Sequence, residues 1–173
     1  MIKWEEVVQG ALWCVSKQLK GITSGEGPYI VYLYGANFDR ADDALVNYLY
    51  SRYPTHYEEV LRRHGKTLDD LKDHVRGRFA ADCSGFICAI TESPSDMSSG
   101  GLWKKTIDRT TPVEGPEASL LFKEGHVGLD IGTGYLVEMV EEFEDLRVSR
   151  IRSRDFTGSG KLPWIDYTGA TNL

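Results

Sequence analysis

The chain has 173 residues, 41% of them hydrophobic, enough for one well-buried core and too few for two ordinary domains. A formal charge of −6 is the wrong balance for nucleic acid, whose phosphates are bound by clustered cations that release counterions. Three cysteines, Cys14, Cys83 and Cys88, cannot all pair within one molecule and lack CxxC spacing, so a reducing compartment is the simpler reading and no metal or dithiol site is expected.

The first six residues, Met1 to Glu6, carry acids where a signal peptide would carry a basic segment, and no apolar run approaches membrane-spanning length. The expectation is a protein made in the cytoplasm without a signal peptide and without membrane insertion. From Trp4 to Leu19, Val7, Val8, Ala11, Leu12 and Val15 fall at helical spacing, with Gly21 as a stop. Tyr29 to Tyr34 is aromatic and β-branched, a short strand ending at Gly35. Residues 38–80 are charged and rich in helix formers broken at Pro54 and Gly65, which predicts a helical insertion of two or three pieces whose His56, His64 and His74 are solvated. Asp82 caps a helix carrying Phe86, Ile87 and Ile90, closed by Ser93-Pro94, and Ser93 to Gly101 reads as a surface loop. After Gly125 the texture changes to strands: His126 to Ile131, a Gly132-Thr133-Gly134 turn, Tyr135 to Val140, and an Arg-alternating stretch with one solvated face, Arg147 to Arg154. Helices followed by a mainly antiparallel sheet make an α+β chain.

Within this frame Cys83 stands at a helix start, where backbone N–H groups and the helix dipole favour thiolate, whereas Cys14 and Cys88 sit among apolar residues as small core side chains. The bland alternative for Cys83 is the same core role. Alternation along His126 to Ile131 sends Val127, Leu129 and Ile131 to the core and His126 to the other face. A three-residue turn sets Gly128 opposite Glu138, which makes Glu138 the diagonal neighbour of His126 with Gly128 leaving space between them. A carboxylate there can hold the imidazole as the third member of a triad; the competing reading is an exposed His and Glu on a two-faced hairpin, and a two-residue turn would change the parity.

Asp82-Cys83-Ser84-Gly85-Phe86, then Gly125-His126-Val127-Gly128-Leu129-Asp130-Ile131-Gly132-Thr133-Gly134-Tyr135-Leu136-Val137-Glu138, together with the upstream Tyr32-Leu33-Tyr34-Gly35, resembles the NlpC family of cell-wall cysteine endopeptidases. Gly101-Leu102-Trp103 and Gly160-Lys161-Leu162-Pro163-Trp164-Ile165-Asp166-Tyr167 look like its phage and prophage branch, so the similarity spans nearly the whole chain. The resemblance implies one papain-like peptidase domain over residues 1–173, with N-terminal helices and the nucleophile helix packed on a mainly antiparallel sheet. It implies Cys83 and His126 as the dyad and places the third polar residue at Glu138, where better-known members carry His. By the same analogy Tyr32, Asp82 and Ser84 contact the free amino end of a peptidoglycan stem peptide. The many members with Gly at the position of Ala36 leave the fit of that loop as a point to examine.

The expected activity is therefore hydrolysis of stem peptides at the γ-D-glutamyl to diamino-acid bond, by a phage or prophage product acting on the cell wall without metal or cofactor. Two alternatives stand beside it: an amidase or acyltransferase on the same Cys and His scaffold, and a non-catalytic tail or wall-binding component.

Overall fold

The structure, a computed structural model, describes residues 1–110 and 119–170. A short strand β1 (Ile2–Lys3) leads into helix α1 (Trp4–Ser24), which buries Trp4, Val7, Val8, Ala11, Cys14 and Gln18 along one side. The expected stop at Gly21 is not observed. Gly21 is buried inside the helix, where the Gly27 carbonyl approaches too closely for any Cβ, and the helix runs on to Gly25, which closes it at φ +79°. Gln18 is one of the few buried polar side chains, and its amide oxygen accepts from Tyr29 N and Ile30 N, both at 2.8 Å, tying the next strand to α1.

That strand, β2 (Ile30–Tyr32), belongs to a three-stranded sheet with β3 (Asn37–Arg40) and β4 (Phe79–Ala81), in the order β2-β4-β3. β2 and β4 are parallel, and β3 is antiparallel to β4. Between β3 and β4 lie three helices. Asp42 caps α2 (Asp43–Arg52), Pro54 opens α3 (Pro54–His64) with Gly65 closing it at φ +62°, and a Thr67–Asp70 capping box starts α4 (Leu68–Val75). Side chains alternate across the small sheet: Ile30, Tyr32 and Ala81 face the main core, while Val31, Leu33 and Ala80 join Val46, Leu49, Tyr57, Val60, Leu71 and Val75 in a second one.

The three histidines of this helical stretch are not freely solvated. His56 meets Glu142 at 3.2 Å, His64 meets Glu141 at 3.1 Å and His74 meets Asp145 at 3.0 Å, all three acids lying in one turn far along the chain. Nothing local in the sequence couples positions some 70 to 90 residues apart.

Helix α5 (Cys83–Ile90) is followed by α6 (Ser99–Lys105), so the end of the expected surface loop is helical: the Ser98 hydroxyl accepts from Gly101 N and Leu102 is buried. The remaining strands are β5 (Ile107–Thr110), β6 (Leu120–Lys123), β7 (His126–Gly132), β8 (Tyr135–Met139), β9 (Leu146–Arg150) and β10 (Gly158–Lys161). They form one sheet in the order β5-β10-β6-β7-β8-β9, antiparallel at every neighbour. β11 (Ile165–Asp166) returns to pair in parallel with β1.

One face of the large sheet, carrying Leu120, Phe122, Val127, Leu129, Val137 and Met139, packs with Val7, Ala11, Phe86 and Ile87 of α1 and α5. Mixed helices and a mainly antiparallel sheet make the chain α+β. Among the described residues no helix is long and apolar enough to cross a membrane.

Candidate active site

The parallel pairing of β2 with β4 sets where the thiol stands. β4 ends at Ala81, Asp82 turns the chain, and Cys83 is the first residue of α5. The Asp82 carboxylate holds this corner: Oδ1 accepts from Gly85 N at 2.7 Å and from the Ser84 hydroxyl at 2.8 Å, and Oδ2 accepts from Gly35 N at 3.1 Å. Asp82 N donates in turn to the Ala36 carbonyl at 3.0 Å, an oxygen so close to Gly85 that no side chain fits there. Ala36 itself is 1% exposed and accommodated in the second core. One carboxylate thus caps the helix and pins the segment after β2 against it.

Tyr32 ends β2, buried, with its amide donating to Asp145 Oδ1 at 2.9 Å. Burial pushes its phenol far above the ordinary range, and the nearby Cys83, Glu142 and Asp82 add to this. Ser84 is also buried, with its hydroxyl engaged by Asp82. Tyr32, Asp82 and Ser84 are therefore gathered around Cys83, and two of the three are structural struts as well.

Cys83 departs from expectation in one respect. The amides of Val127, Ser84 and Cys83 do favour the thiolate, but burial followed by the Asp82 charge outweighs them and pushes the thiol up to about 12. A helix start alone does not activate a sulfur that is 5% exposed and beside a carboxylate. At neutral pH the group is a thiol, and its hydrogen-bond partner is the Gly125 carbonyl, 3.8 Å from Sγ. Gly125 immediately precedes His126, so the sulfur lies at the opening of β7.

The hairpin of β7 and β8 has the pairing that a three-residue turn would give, by another route. Leu129 faces Val137 and Asp130 faces Leu136, but the turn proper is Thr133-Gly134, both at positive φ, and a bulge at Ile131–Gly132 restores the parity. Glu138 consequently reaches His126, with Nε2 to Oε2 at 2.8 Å. Both are buried, at 8% and 1% exposure, which removes the reading of an exposed two-faced hairpin. The space over Gly128 is not empty: a Cβ there would lie 2.6 Å from Leu136 Cδ1 and 3.3 Å from Phe156 Cζ. Phe156 also stacks on the imidazole at 5.8 Å, covering the second face of the sheet.

Arg154, expected on the solvated face of an Arg-alternating strand, instead lies beyond the end of β9 and turns inward. After β9 a 3-10 turn (Ile151–Ser153) sends the chain back across the sheet, bringing Arg154 Nη2 to 3.0 Å from Glu138 Oε2, the same oxygen that binds His126. Arg154 Nε is 3.0 Å from Oε1 but out of line for a hydrogen bond, so that contact is an ion pair only. Arg147, directly opposite Glu138 on β9, stands 3.7 Å from Oε1. Arg147 was legible from strand pairing; Arg154 was not, because its approach depends on the turn. Burial by itself would raise Glu138, yet the His126 ring N–H, the Ser149 hydroxyl and Arg154 prevail and hold it at about 2.

An ionised Glu138 fixes the chemistry of the ring. Nε2 must carry the hydrogen it donates, which leaves Nδ1 as the basic nitrogen of neutral His126. Asp130 shares this face but pairs with Gly132 N at 2.8 Å through Oδ1, while its Oδ2 is buried without a partner among the described residues and burial pushes the group up to about 6. Cys14 and Cys88 lie buried in the main core. Among the described residues no cluster of three or more His, Cys, Asp or Glu is placed to hold a metal ion. Comparison of the sequence with protein-family models and with curated proteins returned no match.

Proposed function

We propose that the chain is a cysteine peptidase of papain-like, NlpC type that hydrolyses the peptide stems of peptidoglycan, at the γ-D-glutamyl to diamino-acid bond. The observation that carries this reading is the buried His126–Glu138 pair, 2.8 Å apart, on the strand whose preceding residue, Gly125, contacts the Cys83 sulfur at a helix start. A nucleophile, a base and a residue that orients the base are what amide cleavage through an acyl-enzyme requires.

In the proposed reaction the thiol turns from the Gly125 carbonyl toward Nδ1 of His126. It gives up its proton as Sγ attacks the scissile carbonyl carbon, and imidazolium forms against the Glu138 carboxylate. The Cys83 amide at the start of α5 is the natural donor to the oxyanion. Collapse of the adduct breaks the C–N bond, with Nδ1–H protonating the leaving amine, and water activated by the same nitrogen then hydrolyses the thioester. Asp82 is half-buried and keeps acceptor capacity beyond its three internal hydrogen bonds, which suits an ammonium at the free end of the stem, with the Tyr32 ring as a wall.

The test is mass spectrometry of the fragments released from purified peptidoglycan by the wild type and by Cys83→Ala. New N-termini at the diamino acid, absent with Cys83→Ala, are expected. Fragments cut at another bond would select the amidase alternative, and transfer of the acyl group to an added amine the acyltransferase one. No cleavage, with no selective labelling of Cys83 by a thiol probe, would select the non-catalytic wall-binding component.

A further inference from the structure

The end of the three-stranded sheet remote from Cys83 opens into a cleft of about 340 Å³. The parallel strands β2 and β4 run toward Gly35 and Cys83 at their C-terminal ends, so the cleft at Tyr29 and Phe79 is one strand length away, roughly 10 Å for three residues. Lys17 and Lys20 reach it from one side of α1, Arg40 from the end of β3 and Arg78 from the start of β4. Glu26 is, among the described residues, the single carboxylate in its lining, so four cations face one anion on a chain whose formal charge is −6. Among the described residues none of the four cations has a carboxylate partner, as is true of most Lys and Arg of the chain.

The cleft is also built rather than merely charged. Arg78 donates through Nη1 to the His74 carbonyl and lies across Gly27, which sits at φ +86° and has no room for a side chain beneath the guanidinium. Arg40 donates through Nη1 to the Gly77 carbonyl and lies 5.0 Å over the Phe79 ring. Two guanidinium groups are thus positioned by backbone carbonyls, each with further N–H groups uncommitted. Lys17 stands 5.2 Å over Trp13, whose ring meets Tyr29 edge-on.

We propose that this cleft binds a small phosphate-bearing anion. Paired guanidinium forks and ammonium groups match phosphate oxygens, and the volume leaves space for an organic body against Tyr29 and Phe79 beyond the phosphate itself. The site is independent of the chemistry proposed at Cys83, and the Cys83→Ala protein binds the ligand as the wild type does.

The experiment is calorimetric titration of the full chain with glycerol 3-phosphate, with inorganic phosphate and with malonate, beside co-sedimentation with vesicles of phosphatidylcholine mixed with phosphatidylglycerol. Saturable binding of glycerol 3-phosphate is expected. The exposed substitutions Lys17→Glu with Lys20→Glu, or Arg40→Ala, weaken it by about tenfold or more, while Lys104→Glu with Lys105→Glu, cations of α6 outside the cleft, change it less than about twofold. Binding to the mixed vesicles alone, lost in the same cleft variants, supports the site with a lipid headgroup as the source of the phosphate. Absence of binding to all phosphate probes, malonate binding as tightly, or an equal loss in the α6 control overturns it.

Discussion

Replacing Glu138 by glutamine tests the site at the point where burial and charge oppose each other. The carboxylate is 1% exposed and 2.8 Å from His126, and its partners hold it at about 2 against an ordinary 4.5. Burial opposes that lowering, so His126, Ser149 and Arg154 together stabilise the carboxylate by more than the net shift. Removing the charge takes away the anion that stabilises the imidazolium formed in the proposed reaction, and the stranded Arg154 acts in the same direction. With Cys83 held at about 12 by burial, the proposed reaction starts from the thiol, whose proton passes to His126 as the sulfur attacks. In Glu138→Gln the plateau of kcat/KM should therefore fall about 10- to 100-fold, since glutamine keeps an acceptor for Nε2–H but not the charge. Glu138→Ala should cost about a thousandfold, because nothing then fixes the ring. The assay is kcat/KM against pH on a defined stem peptide for the three proteins. An undiminished plateau in Glu138→Gln would refute the role of the charge. Identical profiles would reduce Glu138 to a polar patch of the hairpin and turn attention to Asp130. Because Glu138→Gln leaves Arg154 without its carboxylate, it should also cost a few kcal/mol of stability. Adding Arg154→Gln should recover that stability without recovering the plateau.

Cys83→Ala should abolish stem cleavage with the fold intact, whereas Cys14→Ala and Cys88→Ser should lower the melting temperature and leave cleavage in place; fragment analysis and thermal unfolding measure both. His126→Ala should be as damaging as loss of the thiol, and the double variant with Cys83→Ala no worse than either single one, because the two groups share a step; a far slower double variant contradicts this. Asp130, raised from 3.8 to about 6 by burial, contributes stability that is full below about pH 4 and lost as pH rises through about 6, a change of roughly 3 kcal/mol by linkage. Urea unfolding at pH 4 and pH 8 should show that loss in the wild type and not in Asp130→Asn, and equal losses in both would disprove the assignment.

What could be read from the sequence was whatever depends on short spacing. The cap at Asp82, the breaks at Pro54 and Gly65 and the alternation along His126 to Ile131 all act within a few residues, and each stands where its spacing placed it. The His126–Glu138 alignment was also legible, since any turn of the right parity delivers it, whether by three residues or by two and a bulge. Strand β10 was not: Gly158-Ser159-Gly160-Lys161 has little strand propensity, and it lies in the sheet because its glycines admit Trp103 and Thr106 against the backbone. Gly21 misled for a related reason, as a glycine within a helix marks a close backbone approach as readily as an end. The elevated Cys83 thiol was hidden too, because burial is a property of the assembled core and outweighs the local helix start.

The turn between β8 and β9 shows how the helices of residues 43–75 bear on the site. Glu141, Glu142 and Asp145 lie within five residues, a concentration of charge that would repel itself if left alone. Each takes an imidazole from the helical stretch, and Phe143 packs between the rings of His64 and His74 at 5.4 and 5.1 Å. Phe143 and Asp145 adopt left-handed backbone, at φ +70° and +56°, a strain that persists only where surrounding contacts over-determine it. Two of the acids have a second task. Glu142 accepts from Tyr34 N at 3.0 Å and Asp145 from Tyr32 N at 2.9 Å, so the segment that walls Cys83 takes its position from the same carboxylates that hold the histidines. The turn also joins the strand bearing Glu138 to the strand bearing Arg147. The helical stretch is thereby connected to both sides of the candidate site, to the Tyr32 wall through hydrogen bonds and to the Glu138 strand through the chain itself.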